Sequence, residues 1–336
     1  MAGTLINAVT TKKEDYSDLL AIADFRNTPF TSVVKKSTAP TNPRFDWTVD
    51  NYSAPTTAGV VDGVDVTDFA DQFANRAKLF NYVQKVWRNP KVSGMTQDIS
   101  DMPGATNPIQ AAVAKALVEI KRDVEATCLS SNDGQVDDGA VAYKTAGLGT
   151  WISTTGGTVV TVPSAYRPAS AQIIATSTGT LDEDTDLQGI LTAIFDAVGG
   201  IGMNYTLLCG SVLRRRVTAM TRTEVSNSAT LTNRAANRVR AFNQSATNAV
   251  VESSTTTFKG DFGDLNVVAS SWIGLSAGVV DTDRGYVLDM DKIHLRYNER
   301  PTVNPLPDLG GGPRRSVTCT FGLQVDNPKG LGKFQP

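Results

Sequence analysis

Asp182, Asp184 and Asp186 stand at the alternate spacing that opens a calcium-binding loop. Such a loop needs a glycine at its sixth position and a chelating glutamate at its twelfth, and here those places hold Leu187 and Ala193. Acids so placed instead favour the positive end of a following helix. Gly199, Gly200 and Gly202 look like a phosphate-cradling turn. They follow a helical pattern, whereas a dinucleotide loop follows a strand, so they read as a helix stop. His294 is the only histidine, so a two-histidine metal site cannot form, and its neighbours alternate as a strand does. Cys128, Cys209 and Cys319 lack both paired spacing and the local signature of a nucleophile. Their sparse, odd number suits synthesis in a reducing compartment. Asn51, Asn204 and Asn243 open glycosylation sequons, but no secretion signal accompanies them. Catalytic residues, cofactors and metals are all expected to be absent.

Charge placement says more. Asp46, Asp50, Asp62, Asp65, Asp68 and Asp71 share a segment that meets no lysine or arginine between Asp46 and Arg76. Arg214, Arg215, Arg216, Arg222, Arg234, Arg238 and Arg240 share a later one, offset only by Glu224. The plain reading is two solvated surfaces. A sharper one is complementarity between neighbouring subunits, which would steer and register assembly more than add affinity. A third has the arginines facing enclosed nucleic acid through nonspecific phosphate contacts. The candidate inter-subunit contacts are Asp62, Asp65, Asp68, Asp71, Arg214, Arg215, Arg216, Arg238 and Arg240.

The chain has 336 residues, enough for one elongated multi-part subunit or two domains. Its formal net charge of −2 argues against a general nucleic-acid binder. No apolar run approaches the ~18–20 residues of a membrane span.

The element that must organise these residues is a helix from about Pro108 to Leu129. Asn107 is its N-cap and Pro108 its first residue, where a missing N–H is harmless. Ile109, Val113, Ala116, Leu117, Ile120, Val124 and Cys128 form one apolar stripe; Val113, Leu117, Ile120 and Val124 are its expected packing residues. At ~1.5 Å per residue the rod spans roughly 33 Å. Before it, residues 1–44 read as an arm, with a short helix over Tyr16–Ala23 that Thr28, Pro29 and Phe30 end. Residues 45–93 read as a long hairpin. Phe45, Trp47 and Val49 alternate outward, Lys78 to Trp87 returns, and the polar stretch between projects to find a partner on a neighbour. After the long helix, residues 154–180 are expected to form loose hairpins. A second helix covers Thr185–Val198, a strand Tyr205–Cys209 and a third helix Val212–Met220. Late strands are expected at Ala249–Phe258, Leu265–Ser270, Tyr286–Leu288, Ile293–Tyr297 and Val317–Val325, giving an α+β chain.

In their order these pieces resemble the tailed-bacteriophage major capsid proteins of the Hong Kong-type, or Johnson, fold. The stretch from Asp15 to Leu20, with Asn27 to Phe30, resembles that family's N-terminal arm. Phe45 to Asp50 resembles the outgoing limb of its extended loop, and Asn81 to Val86, ending at Val92 to Gly94, the return limb. Glu119 to Glu125 resembles the second half of its spine helix, and Gly147 to Ile152 the segment after it. Lys259 to Leu265 and Val287 to Asp291 resemble its late strand motifs. The pattern departs from the family between Thr302 and Arg315, where Gly310, Gly311, Gly312 and Pro313 replace the usual run.

The resemblance implies an arm (1–44), an extended loop (45–93), a peripheral domain with the spine helix (94–179), an axial domain (180–285) and, over 286–336, strands returning to the peripheral domain and the C-terminus. It implies a virion subunit, made in the bacterial cytoplasm, that builds hexamers and pentamers of an icosahedral shell. Packaged double-stranded DNA would be held by nonspecific contact, without any membrane. Further partners would be a separate scaffolding protein, since no coiled-coil lead segment is visible, a portal and decoration proteins. Some family members join a loop lysine to a neighbour's asparagine. Lys78, Lys85 and Lys91 lie in or near that region, but no catalytic partner can be assigned and no crosslink is expected. A tail-tube or decoration subunit is the alternative, against which the long helix counts.

Overall fold

The computed structural model describes residues 27–67, 69–98, 107–176, 181–200, 203–220, 223–224, 238–239, 256–275 and 280–336. The expected helix at Tyr16–Ala23, Asp68, Arg240 and most of the expected strand at Ala249–Phe258 lie outside them.

The chain opens with α1 (Pro29–Val33), β1 (Lys35–Ser37), β2 (Arg44–Val49), β3 (Ala77–Tyr82) and β4 (Gln84–Arg88). Then come α2 (Gly94–Asp98), the long α3 (Pro108–Cys128), α4 (Leu148–Trp151) and β5 (Ile173–Ala175). A π-helical turn, Glu183–Gln188, leads into α5 (Gly189–Val198), followed by β6 (Met203–Cys209) and α6 (Ser211–Met220). The strands β7 (Thr223–Glu224), β8 (Arg238–Val239), β9 (Thr257–Gly260), β10 (Gly263–Ala269) and β11 (Gly285–Leu288) follow. The chain closes on β12 (Ile293–Leu306), β13 (Arg314–Val325) and β14 (Gly332–Gln335).

One sheet has the order β1-β12-β13-β4 and carries α3 on one face. The pattern on β13 dictates that packing: Val317, Cys319, Phe321, Leu323 and Val325 alternate and are fully buried. Ala116, Ile120, Val124 and Cys128 meet them from α3, joined by Trp151 and Ile152. Asn107 caps α3 as its position suggests, its side chain accepting from Gln110 N. A second sheet, β5-β14-β11-β6-β10-β9, packs against α5 and α6 around Leu191, Ile194, Leu213, Val217 and Phe334.

Pro29 is the first residue of α1, where its absent N–H leaves no bond unmade. Other expectations are corrected. The return limb does not stay with its hairpin. Only β3 pairs with β2, and after Val83 the chain crosses to β13 as β4. The described residues of the expected hairpin stretch, 154–176, pair into no hairpin; the Asp133 carboxylate gathers the N–H groups of Thr158 (2.6 Å), Val159 (2.8 Å) and Val160 (3.2 Å) into a turn, and β5 joins the second sheet. The last strand, β14, pairs with β11 and β5, since Gly332 sits against Ile190 and lets the backbone close on α5. β12 also outruns its expected end at Tyr297, reaching Leu306 through register shifts after Tyr297 and Glu299 that let a Pro301-bearing strand stay paired.

Candidate assembly surfaces

The β2–β3 hairpin sits on the sheet face opposite α3. Gly322 makes this possible, since a Cβ there would lie 2.5 Å from the Phe45 ring. Trp47 Nε1 donates to Val325 O at 3.1 Å. Buried Asn81 donates to Leu323 O at 2.6 Å and Thr145 Oγ1 at 3.0 Å, and its own oxygen accepts from Tyr82 N and Ala146 N. With its amide satisfied in this way, Asn81 locks hairpin, sheet and the segment after α3 together. At the hairpin's free end Asp46 pairs with Lys78 (2.7 Å) and Arg44 (3.0 Å), and Asp50 with Arg76 (3.1 Å). Burial alone would raise the Asp46 pKa, but hydrogen bonds from Lys78 and Arg44 outweigh it and hold the carboxyl below its ordinary value.

Beyond that clasp, residues 50–67 and 69–76 run without regular structure apart from turns. Tyr52 is 99% exposed, Phe69 87% and Val60 86%, and Val61, Val64, Val66 and Phe73 are exposed beside them. Large apolar side chains exposed at this density are uncommon on a lone soluble chain. Asp62, Asp65 and Asp71 stand among these side chains and belong to no salt bridge in the described residues.

The arginine segment is different. Arg214 donates to Val267 O, and Arg216 to Thr176 O (2.8 Å) and Asp283 (3.3 Å), so both tie α6 to its own subunit. Arg215 alone of the three is exposed. The Arg238 side chain and Arg240 lie outside the described residues. Among the described residues, no ion pair joins the acidic loop to the arginine segment within one chain. On α3, Ile120 and Val124 are buried, while Val113 and Leu117 are half-buried and line an open groove with Ile109, Ala114, Val303 and Arg315.

Two features escaped the sequence reading. Trp87 on β4 is 67% exposed, on the polar phase of an alternating strand. Glu125, on what reads as the charged face of α3, is fully buried. Its oxygens accept from Phe30 N (2.9 Å) and Thr31 N (2.7 Å), so it anchors the start of α1. Desolvation raises its pKa, against the pull of those amides. A carboxylate breaking the helical charge pattern opposite a Thr-Pro-Phe turn was the only available signal.

The residues that could do chemistry are otherwise engaged. The Asp182 side chain accepts from Asp184 N (3.0 Å), and Asp186 accepts from Asp182 N (2.7 Å), shaping the entry to α5. Gly199 ends α5 at φ +76°. His294 Nε2 faces Asp326 at 3.0 Å. Burial pushes the Cys209 thiol up to about 11 and Cys319 to about 12, and Cys128 well above its ordinary value, which keeps all three protonated and unreactive. Among the described residues no group of His, Cys, Asp and Glu could hold a metal ion.

The profile of the SU10 major capsid protein family matches residues 3–336. The chain belongs to that family. It is a structural subunit of a phage virion's capsid, and the family is not one of enzymes. Its fold is the Hong Kong-type capsid fold. The capsid of a native GTA particle superposes with a TM-score of 0.61 at 13% identity, covering 98% of this chain and 96% of that one. A chain of Mycobacterium phage Bobi gives 0.58 at 15% identity over 100% and 99%, and one of Gordonia phage Cozz 0.56 at 12% over 98% and 92%. At such identities the likeness is one of fold. No curated protein matches the sequence.

Proposed function

We propose that this capsid subunit assembles with itself into hexamers and pentamers that close an icosahedral shell around packaged double-stranded DNA. The observation that carries the reading is the loop between β2 and β3, whose large apolar side chains Tyr52, Val60, Val61 and Phe69 are exposed. Two packed cores support it: α3 and the β1-β12-β13-β4 sheet would form the peripheral part, and α5, α6 and the six-stranded sheet the axial part near the capsomer centre. Because β5 and β14 join that second sheet, the proposed axial part draws residues from beyond 180–285 on both sides. A scaffolding protein, a portal and decoration proteins complete the proposed partners. DNA contact would be nonspecific and modest, in keeping with a net charge of −2.

Negative-stain electron microscopy of the purified chain, with analytical ultracentrifugation, tests the proposal. Rings or shells are the expected particles. A strictly monomeric, compact species at high concentration would overturn it.

A further inference from the structure

Asp62, Asp133 and Asp138 are each followed by glycine. In that pair the glycine nitrogen can attack the side-chain carboxyl before it, because glycine brings no Cβ to crowd the ring that forms. The fold decides which of the three can react.

At Asp133 and Asp138 both reacting groups are held. The Asp133 carboxylate accepts from Gly134 N (2.7 Å), Thr158 N (2.6 Å), Val159 N (2.8 Å) and Val160 N (3.2 Å). The Gly134 hydrogen therefore points at an oxygen, not at the carbon. Packing closes the site as well, since a Cβ at Gly134 would collide with Val160 Cγ2. Asp138 accepts from Val141 N (2.8 Å) and Ala140 N (3.0 Å), bonds that hold its carboxyl below the ordinary value. Gly139 N is engaged too, donating to Asp137 at 2.8 Å. An ionised, hydrogen-bonded carboxylate is a poor electrophile, and a bonded amide is a poor nucleophile.

Asp62 and Gly63 escape these restraints. They stand at the centre of an exposed turn closed by one long bond, Val64 N to Val61 O at 3.4 Å. Among the described residues neither the Asp62 carboxylate nor the Gly63 N–H has a partner. Gly63 sits at φ +84° with no atom within 4 Å of where a Cβ would be, so rotating the Asp62–Gly63 link meets nothing. Covalent change concentrates at loop tips of this kind.

We propose that Asp62 is a self-modification site of the free subunit, where its carboxyl condenses with the Gly63 amide and reopens as isoaspartate. The Gly63 nitrogen bonds to Asp62 Cγ, and the carboxyl hydroxyl leaves with the amide proton as water. Water then adds back to the succinimide. Breaking the bond between nitrogen and Cγ restores aspartate. Breaking the bond between nitrogen and the original main-chain carbonyl carbon routes the chain through Cγ, one methylene longer, and frees that carbon as a carboxylate. Water leaves and returns, so the mass is unchanged and no other reactant is needed. One consequence rests on the self-assembly reading: a lengthened loop fits a neighbour poorly, so particles should select unreacted chains.

Ageing the full unassembled chain in warm neutral buffer and mapping its peptides tests this. Isoaspartate shows as a peptide of unchanged mass that elutes separately and resists an aspartate-specific protease at residue 62. It should accumulate at Asp62 about tenfold or more faster than at Asp133 or Asp138, which must first give up several hydrogen bonds. Asp62→Glu can close only a larger ring and should stay unmodified. Asp62→Asn should reach the same succinimide faster, releasing ammonia in place of water. Isoaspartate that favours Asp133 or Asp138, or an Asp62→Asn chain that keeps its ammonia, would overturn the assignment and leave the shell reading standing. When aged chains are then assembled, isoaspartate should stay in the unassembled fraction; equal amounts inside and outside particles would overturn the selection. A chain that isomerises at Asp62 but never leaves the monomer would overturn the self-assembly reading and keep the site.

Discussion

Replacing Glu125 with alanine should detach α1 from the spine helix. In the native subunit both carboxylate oxygens are spent on backbone amides, Phe30 N at 2.9 Å and Thr31 N at 2.7 Å. The Phe30 amide is buried, so losing its acceptor strands a donor in the core; Thr31 is part-buried and recovers some hydration. An unsatisfied buried donor costs ~1–3 kcal/mol and a half-hydrated one less, so the expected loss is about 2–4 kcal/mol. Glu125→Gln keeps the shape and one acceptor but turns an N–H₂ toward a donor, so it should fall between wild type and alanine. The pH dependence has a definite sign. Burial raises the folded pKa above the ordinary 4.5, so the folded subunit keeps this proton to a higher pH than the unfolded chain. The stabilising contribution is complete below the unfolded value and is lost as pH rises through the folded one. Urea unfolding of the unassembled subunit from pH 4 to 8 measures the slope, and hydrogen exchange at Phe30 and Thr31 locates it. An alanine variant that loses less than ~1 kcal/mol would refute the anchoring role. So would a glutamine variant that keeps the wild-type pH slope.

Ile120→Asp places a carboxylate where the side chain is fully enclosed by apolar neighbours, so it should destabilise by on the order of 4–5 kcal/mol or more and yield no folded subunit. Phe69→Ser in the exposed loop should leave the melting temperature within a degree or two of wild type while reducing assembly, and equal folding defects from both would contradict the division between core and contact surface. Lys333→Met should stabilise the subunit at neutral pH. Desolvation, helped by Arg284, lowers the lysine from 10.5 to about 8, so holding it charged at pH 7 costs ~3 kcal/mol, partly offset by its 3.4 Å bond to Gly149 O. The wild type should therefore gain stability between pH 8 and 10.5 and the methionine variant should not; a variant that retains the rise would remove Lys333 from the account.

The spine helix was legible because its signals are local. Asn107, Pro108 and a stripe at three- and four-residue spacing act within a few turns, and α3 ends one residue before the expected Leu129. The stop at Gly199 and the outgoing strand at Phe45 were legible for the same reason. The acidic loop could be picked out because a long segment poor in core residues has nothing of its own to pack on. Pairing was not legible. Nothing in the residues around Val83 says that the next strand will leave its hairpin for β13, because both partners accept the same alternating pattern. The last strand's place beside β11 depends on Gly332 meeting Ile190, a contact between residues far apart in sequence.

Charge was half legible in the same way. The sequence by itself determined that acids and arginines cluster in separate segments, since composition is a property of the chain. Only the tertiary structure decided which charges remain free. Arg214 and Arg216 are consumed by Val267, Thr176 and Asp283, Arg314 by Pro307, and Glu125 by two amides, while Arg215 stays exposed. A charge is available to a neighbour only after the fold has taken its own partners, and those partners lie far away along the chain.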